Sequence, residues 1–249
     1  MIRSATRSEG NRAAFLRRLA GLALGASALL AATACDSGTR GRTLPPVRYR
    51  LTAQVETPEG LRTGSSVIEV QWTKRPEALG TQGSASYRVE GEAVAVDLPK
   101  GETLFVLLSS PIMVDWAAGA LADTGIQGQD GSAKGADTLP HPVPRQRKLA
   151  SDTIDNYPFF VRFRDRRDPT TVEQVDPDNL AASFGEGTRL KALTVQMTAD
   201  SVTTGIVEKL PWISTHRGSL VKFDSDTPIS KIPEVLRLTE GAFKWGTGR

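Results

Sequence analysis

Five sets of side chains in this 249-residue sequence are of types that do chemistry, and their spacing decides what each is expected to do. Ser219-Leu220-Val221-Lys222 has the S-x-x-K spacing, in which a lysine one helical turn along activates a serine for acyl transfer. That chemistry needs a helix, whereas Leu220, Val221 and Phe223 read as a strand, and no S-D-N or K-T-G follows. His141, in His-Pro-Val-Pro, and His216, in Thr-His-Arg-Gly, lack the H-x-x-x-H spacing that would put two imidazoles on one metal, so both read as turn histidines. Asp165, Asp168, Asp176 and Asp178, then Asp224 and Asp226, offer oxygen ligands for calcium. Arg164, Arg166 and Arg167 interleave with the first of these, and Asp-Pro at 168–169 and 176–177 is turn and cap chemistry. The stretch Gly125 to Gly135 is glycine-rich but lacks the G-K-[ST] that places a lysine at phosphates, so it reads as a loop. The fifth is Cys35, the only thiol, which excludes an intramolecular disulfide and a cysteine-based zinc site. No catalytic residue, metal ligand or cofactor site is expected from these sets.

Charge shows where the chain starts to be a domain. Residues 1–34 carry Arg3, Arg7, Arg12, Arg17 and Arg18 against Glu9, a net of +4, while the whole chain carries +3, so the remainder is near −1. The calculated pI of about 9.1 therefore reflects the leader, and a near-neutral remainder has no general electrostatic reason to seek nucleic acid. After the basic stretch, Leu19 to Ala34 is an uninterrupted apolar or small run of 16 residues, the pattern of a secretory signal. A permanent membrane helix, the alternative, needs about 20 apolar residues. Arg17-Arg18 raises twin-arginine export, but Leu19 is followed by Ala20 and Gly21, so two charges of an ordinary n-region is the favoured reading.

Ala32-Thr33-Ala34-Cys35 resembles the lipobox of bacterial lipoproteins, in which small residues precede an invariant cysteine. Ala32 departs from the favoured form, standing where leucine is commonest, and ordinary cleavage after an A-x-A pattern is the alternative. The resemblance implies that Cys35 carries a thioether-linked diacylglycerol and an N-acyl chain. At about 0.8 kcal/mol per buried methylene, two or three chains hold a protein on a membrane essentially permanently. The expected address is the cell envelope, at the periplasmic face of the inner membrane because of Asp36, with the outer membrane as the alternative.

Residues 35–46 then read as the lipidated cysteine and a tether of Gly, Ser, Thr, Arg and Pro, and 47–249 as one β-rich domain with a loop or insertion at about 123–148. Tyr49, Leu51, Ala53 and Val55 alternate, Thr57-Pro58-Glu59-Gly60 supplies a turn, and Ile68, Val70 and Trp72 alternate again, the pattern of an antiparallel hairpin. Ala93 to Leu98 and Thr103 to Leu108 form a second pair around Pro99-Lys100-Gly101, and Leu104 to Leu108 is apolar on both faces, as for a strand between two layers. Ser110-Pro111 is expected to open a helix over Ile112 to Leu121, and Asp176-Pro177 a short one ending at Gly185. Phe159 to Phe163 and Leu193 to Met197 read as strands, while the basic run Arg145-Gln146-Arg147-Lys148 reads as a solvated loop. The fold class expected is α+β, dominated by antiparallel sheet, with a few short helices and a β-sandwich as its form.

The segments TPEGLRTGSSVIEV (57–70), YPFFVRFRD (157–165), VDPDNLAASFG (175–185) and TTGIVEKLPW (203–212) are similar to an uncharacterised family of proteobacterial envelope proteins. That resemblance implies a shared fold and an envelope address, and no functional residue is carried over from it. The function expected is a non-catalytic binding or assembly role for an unidentified envelope protein partner at the membrane surface. The alternative is an envelope hydrolase with an unrecognised carboxylate or serine site.

Overall fold

The computed structural model describes residues 41–75, 84–127, 137–149, 152–223 and 226–246. Two compact units divide the chain. One comprises Met1–Arg42 and Arg75–Ser84, nearly all of it outside the described residues, and the other, Thr43–Lys74 with Ala85–Arg249, carries the fold. The leader and Cys35 lie outside the described residues. Among the described residues, no helix is long and apolar enough to cross a membrane.

The strands are β1 (Arg42–Thr43), β2 (Val47–Thr57), β3 (Gly60–Arg75), β4 (Ser84–Glu92), β5 (Val94–Asp97), β6 (Thr103–Val106), β7 (His141–Pro142), β8 (Gln146–Leu149), β9 (Asp152–Asp155), β10 (Phe160–Phe163), β11 (Val172–Gln174), β12 (Arg189–Met197) and β13 (Lys244–Trp245). β2 and β3 form the expected hairpin, in register from Val47↔Val70 to Thr57↔Gly60. Its two-residue turn, Pro58-Glu59, ends at Gly60 with φ of 114°, a conformation that favours glycine. Tyr49, Leu51, Ala53 and Val55 are fully buried on one face. The larger sheet runs β13-β4-β3-β2-β12-β7, and the smaller runs β11-β10-β6-β5 with antiparallel pairing throughout.

The smaller sheet is buried on both sides, as the apolar run in β6 requires. Val94, Val96, Leu104, Val106 and Phe160 join the core with Tyr49, Leu51 and Ile68 of the larger sheet. The alternate residues Phe105, Leu107, Val161 and Phe163 belong to a second core, covered by Ile206 to Phe243. That cover consists mainly of short helical turns. Trp212 and Phe243 reach it from widely separated positions and stack with Phe163, their ring centroids all 5.7 Å apart. The unit that carries the fold is thus a sandwich of two antiparallel sheets with an irregular third layer.

Several expectations shift in detail. The helix starts not at Ile112 but at Trp116, spanning Trp116–Asp123 (α1). Ser110 Oγ does accept the Met113 N–H at 2.9 Å, but the Met113 carbonyl accepts the Ser110 N–H at 2.8 Å and closes a turn before α1 begins. Burial of Trp116, whose indole donates to the Asn156 carbonyl at 2.7 Å, sets the helix register. The second short helix is confined to Ala181–Phe184 and ends at Gly185, with φ of 96°. Of the expected tether, 35–46, residues 35–40 lie outside the described residues, while the Leu44 N–H donates to the Trp72 carbonyl at 2.8 Å and the Thr43 and Thr73 hydroxyls are 3.2 Å apart, so its last residues belong to the fold. Within the expected loop 123–148, β7 joins the larger sheet and β8 pairs with β9, while 128–136 lie outside the described residues.

Candidate functional site

The side chains singled out by type are placed as follows. Ser219 forms an isolated bridge with Thr239, its hydroxyl donates to the Leu236 carbonyl at 3.2 Å, and Lys222 is exposed further along non-helical chain. The S-x-x-K spacing therefore lacks the helix that would bring its ends together. His141 Nε2 lies 2.9 Å from Asp137 Oδ2, and His216 Nε2 lies 2.9 Å from the Ser219 carbonyl, with its ring edge-on to Trp212. Asp165 accepts the Arg167 N–H, Asp176 accepts the Asp178 N–H, and Asp178 pairs with Arg145 at 3.0 Å. Asp168 accepts both the hydroxyl and the N–H of Thr170, bonds that hold its carboxyl below the usual range. These acids shape turns. Among the described residues no three His, Cys, Asp or Glu side chains gather as a metal site, and Asp224 and most of Gly125 to Gly135 lie outside those residues.

The basic run 145–148 turns partly inward instead of forming a solvated patch. Arg145 pairs with Asp155 and Asp178, each at 3.0 Å, and its guanidinium lies over the Tyr157 ring at 4.6 Å. Arg147 meets Asp123 at 3.2 Å, where the Asp123 side chain is only 3% exposed. Burial pushes the Asp123 carboxyl up, and the charge of Arg147 offsets that only in part. An acid whose folded-state pKa is raised favours folding below its unfolded value, about 3.9, and that advantage disappears as pH rises through the folded value. Arg147→Met raises the Asp123 pKa further, so its destabilisation should be clearly larger at pH 8 than at pH 4. Urea unfolding at both values checks this, and equal losses would contradict it.

Two concavities lie at opposite ends of the sandwich, with β6 running between them: Thr103 lines one and Ser109, three residues beyond the strand, lines the other. The first is a trough in two compartments, a polar one of about 490 Å³ and one of mixed lining of about 420 Å³, which share Lys100 and Glu102 at the β5–β6 turn. Lys100 is held at φ 62°, ψ 19°, a left-handed conformation that costs a non-glycine residue roughly 1–2 kcal/mol. It is followed by Gly101 at φ 77°. The four segments quoted in the sequence analysis converge here, supplying Pro58-Glu59, Arg164-Asp165, Ser183–Gly185 and Glu208–Lys209 to the walls. Lys209 pairs with Asp97 at 2.7 Å, and Arg166 donates to Thr103 Oγ1 at 3.3 Å.

No family model, curated protein or solved structure matches this chain. Its functional reading therefore rests on its own residues.

The second concavity, about 310 Å³, is lined by Pro111, Val114, Phe159, Leu238 and Trp245. Ser109 also lines it, and its hydroxyl oxygen is buried without a hydrogen bond among the described residues. Glu234 and Arg237, which pair at 3.4 Å with both side chains partly exposed, line the same cavity.

A buried carboxylate fixes one wall of the trough. Glu92, at the end of β4, accepts the Ile206 N–H at 2.8 Å, and its other oxygen faces Lys244 Nζ at 3.2 Å. Its backbone carbonyl accepts Ser66 Oγ at 2.6 Å. Thr203 exchanges two hydrogen bonds with the Val67 backbone, its hydroxyl accepting at 2.8 Å and its N–H donating at 3.1 Å. The stretch 203–212 is thereby fastened to the larger sheet before it reaches the trough. The sequence marks Glu92 only as one acid at a strand end; its burial arises from two elements that the sequence places more than a hundred residues later.

Proposed function

We propose that this chain is an envelope lipoprotein anchored through Cys35, and that it holds a protein partner in the polar trough instead of catalysing a reaction. The observation that carries this reading is directional. β2 runs from Val47, just after the attachment of Leu44 to Trp72, to Thr57, which precedes Pro58 and Glu59 of the trough wall. An anchor that joins at Thr43 thus leaves the trough at the far end of an eleven-residue strand, roughly 35 Å away at about 3.3 Å per residue. The leader and the single cysteine after its small-residue triplet support the anchor.

The trough chemistry supports a protein partner. Lys100, Arg166 and Arg167 stand with Glu59, Glu102 and Glu208, a balance of signs. Alternating charge selects a complementary protein surface and steers its approach, whereas small-molecule sites are mostly apolar with a few placed polar groups.

A photo-crosslinking residue at position 100 tests this in cells. It should capture a discrete envelope protein, and the double variant Arg166→Glu, Arg167→Glu should abolish the capture. Stability should fall by no more than about 1 kcal/mol, since both arginines are exposed and only the Arg166 hydrogen bond to Thr103 is lost. Capture that is indifferent to the charge reversal would overturn the reading.

A further inference from the structure

The rim at the chain-entry end exposes apolar side chains that the fold does not use. Val114 is 79% exposed, Ile112 50% and Leu139 68%. Single exposed apolar residues are ordinary, but these three share one end of the molecule. Ile112 and Val114 flank Met113 in the turn closed by Ser110, so the turn holds them in place. Val114 and Pro111 also line the apolar cavity, so the exposed surface continues inward to Phe159, Leu238 and Trp245. Leu139 follows Thr138, whose carbonyl accepts from Gln196, which is paired with Arg50 near the start of β2.

This rim adjoins the place where the chain enters. Leu44 is bonded to Trp72, the Trp72 ring packs on Tyr87 with centroids 5.2 Å apart, and the Tyr87 hydroxyl donates to Asp115, the neighbour of Val114. Thr43 is eight chain steps from Cys35, and a fully extended chain spans at most ~3.6 Å per residue, so the entry point is within about 29 Å of the Cys35 backbone. The trough end is a further strand length away.

We propose that Ile112, Val114 and Leu139 dip into the surface of the bilayer that holds the lipid anchor, docking the sandwich end-on with the trough facing away. This rests on the reading of Cys35 as lipidated. The occupant is the lipid surface because the anchor brings it within reach of this end whatever else is bound. Apolar side chains of a surface-docked segment reach roughly 5–10 Å into the boundary between headgroups and acyl chains.

Cys35 is the only cysteine, so a second one gives a unique free thiol once the Cys35 sulfur is in thioether linkage. The full chain carrying Val114→Cys, purified from membranes, is labelled with a nitrobenzoxadiazole probe. It is then reconstituted in phosphatidylethanolamine–phosphatidylglycerol vesicles whose acyl chains bear nitroxide quenchers. Ile112→Cys is a second site on the rim, and Leu61→Cys, near the hairpin turn at the trough end, is the control. The expected result is quenching of about twofold or more at position 114 or 112, with a blue shift, and none at 61. Unquenched probes at both rim positions, on protein that floats with the vesicles and whose Cys35 resists labelling, overturn the docking and leave the anchor reading standing. Quenching at 61 equal to that at 114 overturns the orientation. Labelling of Cys35 in the unaltered chain overturns the anchor reading, and the docking with it.

Discussion

Gly64→Ala should cost about 3 kcal/mol or more, and Gly64→Val should prevent folding, although each adds only one or three carbons. A Cβ at position 64 would stand 2.2 Å from the Ala95 carbonyl oxygen and 2.8 Å from its carbon. These are backbone atoms of β5, held in register by β6, so no side chain can rotate out of the way. Gly64 is paired with Ala53 on β2, another small residue, and the two let the sheets approach closely here. Thr63→Ala, one residue away and exposed, should change stability by less than about 0.5 kcal/mol. Urea unfolding measures the two alanine variants, and Gly64→Val should show no cooperative transition. A loss below about 1 kcal/mol for Gly64→Ala would show that the two sheets do not meet at this point.

Glu92→Leu should be nearly as damaging, by about 3 kcal/mol. It removes the acceptor of the buried Ile206 N–H and the counter-ion of Lys244 together. Glu92→Gln keeps an acceptor for Ile206 and should lose roughly half as much. Because Glu92 fastens the stretch that supplies Glu208, Lys209 and Pro211 to the trough, Glu92→Leu should also speed amide exchange over Ile206–Leu210 and weaken capture at position 100. Unchanged exchange there would mean that Thr203 and Val67 hold the segment without the carboxylate.

These two positions show what was legible in the sequence. Alternation in β2 and β12, and the two-faced run in β6, could be read because each follows from a neighbouring layer that contacts every second or every residue. The antiparallel sandwich followed from them. The third layer could not be read, since Trp212 and Phe243 meet on Phe163 through helical turns that leave no period in the sequence. The late start of α1 was hidden because Ser110 and Pro111 are equally suited to the turn they form. Lys100 was visible as part of a turn, but its surroundings come from four separate segments that only the fold assembles. The inward pairing of Arg147 with Asp123 was invisible for the same reason: a basic run looks alike whether its partner is water or a buried carboxylate.

The proposed anchor at Cys35 would give the architecture its direction, and its chemistry can be weighed. Mass spectrometry of the protein extracted from membranes of its native host should find a chain that begins at Cys35 and bears a diacylglycerol with or without a third acyl chain, while the Cys35→Ser variant bears none. A chain that retains Met1, begins at another residue, or carries Cys35 with a free thiol would contradict the lipid anchor.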